Sequence, residues 1–241
     1  MIQYEFSKSW TETQKKALLK SSIFTQWLHK ASKNFTIKKI VFQSFDFRTH
    51  SEEALFIKLK AEAYLKTGEL VHGIVVLRGD AVAVLVVLRC ENKAYLLMVE
   101  QPRFPIASTR SLEIPAGILD KSMHHEKIAL EELKEEAQIE VHKDELINLT
   151  AFWQGEVATG FACSCGLLDE HIYFYAVERE VSPEELQQLD QKNQVYQEEG
   201  EWIKTVVMPY EEAAKCFVDG KNLIALFLYE RWLKAQGRKL N

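Results

Sequence analysis

Residues 81–88 read AVAVLVVL, an apolar run of eight residues without polar alternation. A strand with one wet face alternates apolar and polar side chains, whereas a strand covered on both faces does not. The run therefore reads as a strand buried on both sides. Residues 94–100 form a second strand that pairs with it across the Glu91-Asn92-Lys93 turn. Further strands are expected at 147–152, 171–178 and 202–208. One helix is expected to begin at Pro209 and stop at Gly220, and another to cover 222–236 and end at Gly237. Residues 182–196, rich in Gln and Glu, read as a helix or a lid. Such mixing gives an α/β fold. With 241 residues and 47% hydrophobic content, the chain can bury a sizeable core in one large domain, or in one domain with an N-terminal extension.

The extension has its own signals. Thr11-Glu12-Thr13-Gln14 has capping-box spacing, and the helix after it carries Leu18, Leu19, Ile23, Trp27 and Leu28. Residues 35–47 alternate loosely, as a strand does. Residues 54–65 and 71–77 flank Lys66-Thr67-Gly68-Glu69, a hairpin turn. We expect residues 1–78 to form this N-terminal region and 79–241 the main domain.

The formal charge of −5, with no Lys/Arg cluster, argues against a nucleic-acid partner. The longest apolar run falls far short of the roughly 18 residues that span a bilayer. The opening MIQYEFSKSW lacks the shape of a signal peptide, so a soluble cytoplasmic protein is expected. Cys90, Cys163, Cys165 and Cys216 include no C-x-x-C pair, and free thiols in a reducing compartment are the expectation. His124 and His125 are neighbours whose side chains point apart, so surface placement is expected rather than a metal site. Trp27, Trp153 and Trp202 could stack on a base, but core packing is the commoner fate of tryptophan.

Function is concentrated in residues 117–139, GILDKSMHHEKIALEELKEEAQI. On a helix, Glu132, Glu135 and Glu136 fall close together, beside an apolar stripe of residues 129, 133 and 137. Glutamate runs are also common on solvated helix faces. Just upstream, Leu112-Glu113-Ile114-Pro115-Ala116-Gly117 reads as a strand that ends in a turn. Three adjacent carboxylates next to such a turn suit a hard divalent cation, Mg²⁺ or Mn²⁺.

This stretch resembles the Nudix box, G-x5-E-x7-R-E-U-x-E-E-x-G-U, where U is aliphatic. Gly117, Glu132, Leu133, Glu135, Glu136 and Ile139 fit their places. Met123 stands where the first glutamate belongs, Glu131 replaces the arginine and Gln138 the second glycine. The segments 78–85, 100–103, 158–160, 169–170 and 200–204 resemble the nucleoside-diphosphate-sugar branch of that family, especially plant-type ADP-sugar diphosphatases.

The resemblance implies an α/β/α sandwich with a mixed sheet. It implies metal-dependent hydrolysis of a nucleotide sugar, giving a nucleoside monophosphate and a sugar phosphate. Glu132 and Glu136 would be direct metal ligands, Glu135 a further ligand or a support, and the Ala116 carbonyl would complete the set. Glu201 would be the general base, with Glu198 and Glu199 as rivals on the same loop. Arg103, held by a segment that contains Pro105, would clamp phosphate. Glu113 would lie near substrate or metal. Arg78 would touch substrate or form a salt bridge. The N-terminal region, with Phe24, Trp27, Phe42, Phe45, Phe47 and Phe56, would pair two subunits into a homodimer. Two other functions stand open. One is a weak or inactive Nudix-fold protein that binds a nucleotide sugar. The other is a pyrophosphatase for UDP-sugars, NADH or dinucleoside polyphosphates.

Overall fold

A computed structural model describes residues 1–47, 53–119, 124–191, 193–196 and 201–240. It divides into two compact units, Met1–Asp80 with Ser164–Glu170, and Ala81–Cys163 with His171–Asn241.

The first unit contains β1 (Gln3–Glu5), α1 (Glu12–Lys20), α2 (Ser22–Asn34), β2 (Phe35–Phe47), β3 (Ala54–Leu65), β4 (Leu70–Val71) and β5 (Ile74–Leu77). The capping box forms: Gln14 N–H donates to Thr11 Oγ1 at 3.2 Å, and Thr11 N–H donates to Gln14 Oε1 at 2.9 Å. The single helix expected after it is two. At Ser21 the hydroxyl and the N–H both donate to the Leu18 carbonyl, at 2.7 and 3.2 Å, and this local closure ends α1. The strand expected at 71–77 is also divided. A Cβ at Gly73 would strike the Ala61 backbone, and the Gly73 carbonyl accepts from Ala61 N–H at 2.7 Å.

β1 runs parallel to β2, and the remaining pairs are antiparallel, so this five-stranded sheet is mixed. Leu18, Phe24, Ile40, Phe42, Ile57, Leu59 and Leu77 form its buried core, with Trp27, Phe45 and Phe47 packed against them. The unit's own core thus occupies most of the aromatic side chains that the sequence offered as a pairing surface. Residues 164–170 join this unit by a parallel bridge from Leu168 to Val76 and by Asp169, whose Oδ1 accepts from the N–H groups of Arg78 and Gly79.

The second unit contains β6 (Ala81–Cys90), β7 (Lys93–Arg103), β8 (Ser108–Glu113), β9 (Ala116–Ile118), α3 (His125–Glu135), β10 (Ile147–Asn148), α4 (Leu149–Gln154), β11 (Ile172–Glu180), α5 (Pro183–Leu189), β12 (Asn193–Tyr196), β13 (Glu201–Pro209), α6 (Tyr210–Cys216) and α7 (Gly220–Ala235). Its sheet runs β10-β11-β6-β7-β13-β12, with β8 paired to β7 and β9 to β6. β6 is parallel to β11 and antiparallel to β7.

The apolar octet lies at the centre of this sheet. Ala81, Ala83, Leu85 and Val87 pack against Leu149, Tyr210, Ala213, Ala225, Leu228 and Tyr229 of α4, α6 and α7. Val82, Val84, Val86 and Leu88 face the other way, onto Ile128, Ala129 and Leu133 of α3 and Leu189 of α5. Helices cover both faces, giving an α/β/α sandwich.

Three local expectations differ. The strand at 147–152 stops after Asn148, because the Asn148 side chain accepts from Ala151 N–H at 2.8 Å and starts α4. Gly220 opens a helix rather than closing one, since Asp219 caps α7 by accepting from Lys221 N–H. Residues 182–196 hold the expected helix as capped α5, but it ends at Leu189 and a strand, β12, follows. Two tryptophans also leave the core: Trp153 is 49% and Trp202 61% exposed. His125 is not a plain surface residue either. It stacks on Tyr173 at 3.8 Å between ring centroids.

Candidate active site

The turn between β8 and β9 is pinned from α7. Buried Asn222 accepts from Ile114 N–H at 3.0 Å and donates to the Leu112 carbonyl at 2.9 Å. Val84 N–H then donates to the Pro115 carbonyl at 2.9 Å, and β9 pairs Ala116 with Ala83 and Gly117 with Val82. Hydrogen-bonded and open pairs alternate along an antiparallel ladder. The Ala116–Ala83 pair is therefore an open one, and the N–H and C=O of Ala116 both turn away from β6.

Two glutamates of the box come to this spot. Ala116 N–H donates to Glu136 Oε2 at 3.0 Å, and Glu136 is buried. The Glu132 carboxylate lies so close to Gly117 that a Cβ there would overlap it. A short turn and a glycine thus let one carboxylate settle on each of two successive residues. Glu135, the last residue of α3, is exposed. Among the described residues no three His, Cys, Asp or Glu side chains gather as a metal site. The expected trio is thus a converging pair, Glu132 and Glu136, with Glu135 on the outer side of the helix.

The departures from the box also find places. Glu131 meets Lys127 at 3.4 Å on the half-exposed side of α3, so its charge is partnered there. Gln138 adopts φ +57°, the left-handed conformation that glycine takes without strain. Met123, Glu198, Glu199 and the Glu201 side chain lie outside the described residues. The Glu201 backbone opens β13 opposite Tyr196.

A second cluster stands at the end of β8. Arg103, the last residue of β7, grips Glu113 through Nε and Nη2, both at 2.8 Å. Lys221 Nζ reaches the same carboxylate at 2.5 Å and Asp219 at 2.5 Å. Burial alone would raise the Glu113 pKa, but hydrogen bonds from Arg103 and the charge of Lys221 bring it down to about 2. Arg103 and Glu113, two sequence candidates, therefore touch. Arg78 lies in the first unit, where it pairs with Glu170 at 3.0 Å, the salt-bridge alternative of its two expected roles. Lys221, Asp219 and Asn222 were not foreseen. Asp219 alone carried a signal, as an N-cap residue before a helix.

The Nudix domain family matches residues 77–227. The chain belongs to the Nudix family. It is 34% identical over 220 residues to Nudix hydrolase 14, chloroplastic, of Arabidopsis thaliana, covering 87% of this chain and 70% of that one. It is 31% identical over 178 residues to the ADP-ribose pyrophosphatase of Bacillus subtilis (strain 168), covering 72% and 84%. A methanol dehydrogenase activator of Bacillus methanolicus is 30% identical over 192 residues, covering 76% and 91%. The crystal structure of an ADP compounds hydrolase superposes with a TM-score of 0.51 at 17% identity, covering 85% of this chain and 99% of that one, which shows a shared fold.

Nudix hydrolases generally use divalent metal ions. In this Nudix chain the residues at 116–117 fit such an ion. The carboxylates of Glu132 and Glu136 and the outward carbonyl of Ala116 are all oxygen donors, the set preferred by hard cations. No described helix is long and apolar enough to cross a membrane.

Proposed function

We propose that the chain hydrolyses the diphosphate linkage of nucleoside-diphosphate sugars of the ADP-ribose and ADP-sugar type, releasing a nucleoside monophosphate and a sugar phosphate. The observation that carries this reading is the convergence of Glu132 and Glu136 on Ala116 and Gly117 within a Nudix fold. The name of the Bacillus subtilis relative, an ADP-ribose pyrophosphatase, supports the substrate class.

Glu132, Glu136 and the Ala116 carbonyl would hold Mg²⁺, or Mn²⁺ in its place, with Glu135 supporting from the outer side. A divalent ion, when bound, supplies charge neutralisation at the phosphoryl oxygens and activation of water. Arg103 supplies a planar guanidinium for the diphosphate. Glu113 fixes Arg103 in the resting protein. Glu201, at the first residue of β13, takes the proton from the attacking water, the role that the resemblance gives it. Arg78 pairs with Glu170 at 3.0 Å, and its partly exposed side chain remains a candidate for substrate contact. The extra negative charge of Glu131 meets Lys127 on the half-exposed side of α3, while the box glutamates Glu132, Glu135 and Glu136 are retained, so we read an active enzyme rather than an inert binder.

The deciding experiment is hydrolysis of ADP-ribose, ADP-glucose, UDP-glucose, NADH and diadenosine polyphosphates with Mg²⁺ or Mn²⁺, and in EDTA. Monophosphate release from ADP-ribose or ADP-glucose with metal, abolished by EDTA, is expected. Glu136→Gln should lower turnover by about a hundredfold or more. Full activity in EDTA overturns the reading, and so does binding of nucleotide sugar without turnover.

A homodimer belongs to the same proposal. Leu65, Leu70 and Ile74 stay exposed at the β3–β4–β5 end of the first unit's sheet and offer an apolar surface for pairing. Light scattering should then give about twice the chain mass of 27.9 kDa. A monomer with full activity rules the dimer out. The four cysteines, none of them in a disulfide among the described residues, suit a reducing compartment such as the cytoplasm.

A further inference from the structure

Glu113, Arg103, Lys221 and Asp219 form two carboxylates and two cations in one connected set. Their exposure is unequal. The Arg103 side chain is 40% exposed, whereas those of Glu113 and Lys221 are 3% and 10% exposed. Arg103 stands at the rim, where β7 gives way to the turn at Phe104–Ile106. Glu113 and Lys221 stand inside.

A buried carboxylate that loses its sole cation suffers a penalty of several kcal/mol. Glu113 has two cations, and they bind it differently. Arg103 makes two N–H bonds from the open side, and Lys221 makes one from the buried side while also held by Asp219. If Arg103 turned outward, Glu113 would keep Lys221. Without Lys221, the same turn would strand a buried charge. The same guanidinium fork that fits a carboxylate also fits phosphate oxygens, so Glu113 and a diphosphate compete for one group.

We propose that Glu113 is a resting partner for Arg103, and that Lys221 is the positioning residue that lets Arg103 leave Glu113 for the substrate diphosphate. The inference rests on the reading of Arg103 as the phosphate clamp. It goes beyond that reading by making Glu113 a competitor of the substrate, and by giving Lys221 an effect on affinity without contact. Exchange of one charged partner for another keeps every group paired throughout, which is why such a set can be both buried and mobile.

The test is calorimetric binding of ADP-ribose to the full chain in EDTA, where no turnover occurs. Arg103→Ala should weaken binding by about tenfold or more. Glu113→Gln should tighten it by about threefold or more, since the guanidinium no longer has a charged partner to leave. Lys221→Met should weaken it by about threefold or more, and the double variant Lys221→Met/Glu113→Gln should bind at least as tightly as the wild type. A merely structural role for Lys221 would leave the double variant as weak as the single one. If Lys221→Met does not fold, Glu113→Gln alone decides. Binding weakened by Glu113→Gln as it is by Arg103→Ala makes Glu113 an aligner, not a competitor, and overturns the inference. Unchanged binding in Arg103→Ala instead overturns the phosphate-clamp reading itself.

Discussion

Two single positions decide how the box is built, and they do so for different reasons. At Gly117 the space for a side chain is already taken by the Glu132 carboxylate. A methyl there collides with the far end of a flexible side chain rather than with backbone, so Glu132 can move aside. Gly117→Ala should therefore fold with a Tm within a few degrees of the wild type, about what small local shifts cost. Its metal-dependent turnover should fall by about tenfold or more, because a carboxylate is displaced from the site. Loss of fold without a specific loss of turnover would refute this account. Gln138 is the opposite case. Its φ of +57° strains any residue with a Cβ, and the exposed side chain offers little in return. Gln138→Gly should stabilise the chain by about 0.5–1 kcal/mol in urea unfolding. A destabilised variant would show that the side chain contributes more than the backbone loses.

Elements carry the next level, and the β8–β9 connection is the one that matters most. It is irregular backbone, and buried irregular backbone must find hydrogen bonds elsewhere. Asn222 supplies two of them from the first turn of α7. Asn222→Ala should cost about 1–3 kcal/mol, as expected when buried backbone groups lose their partners. Hydrogen exchange should also quicken at Ile114. Protection there equal to the wild type would contradict the pinning role. No sequence rule could have found Asn222, because it acts across 108 residues of separation. The octet at 81–88 was legible because its lack of alternation reports burial on both faces directly. Thr11 was legible because a capping box is complete within four residues. The strand expected at 147–152 failed for a related reason. Its apolar side chains fit a strand, but a local bond from Asn148 to Ala151 N–H began a helix instead. In the site, the box spacing pointed to Glu132 and Glu136 by sequence alone. The partnership of Arg103, Glu113 and Lys221 depends on β7, β8 and α7 meeting, which spacing does not encode.

At the scale of the whole chain, the second unit is clamped by carboxylates that the fold makes more acidic. Burial works against the charge of Glu178, but hydrogen bonds from Arg238, Tyr229 and Arg89 outweigh it and lower its pKa. Arg89 ties this group to the C-terminal segment through the Leu240 carbonyl, at 2.7 Å. Glu113 is the stronger case, at about 2 from an ordinary 4.5. A carboxylate whose folded pKa is depressed binds its proton more readily in the unfolded chain. Its contribution is therefore complete above the unfolded value and is lost as pH falls towards the folded value. For Glu113 the difference corresponds to roughly 3 kcal/mol. Urea unfolding should thus give a free energy that is flat from about pH 7 to about pH 5 and falls steeply from there to about pH 2. Glu113→Gln, which keeps the shape and removes the titration, should be less stable at neutral pH and decline less over the same acid range. Glu178→Gln should do likewise by a smaller amount. An acid decline of equal size in the wild type and in Glu113→Gln would mean that the Arg103–Glu113–Lys221 set does not hold the second unit together.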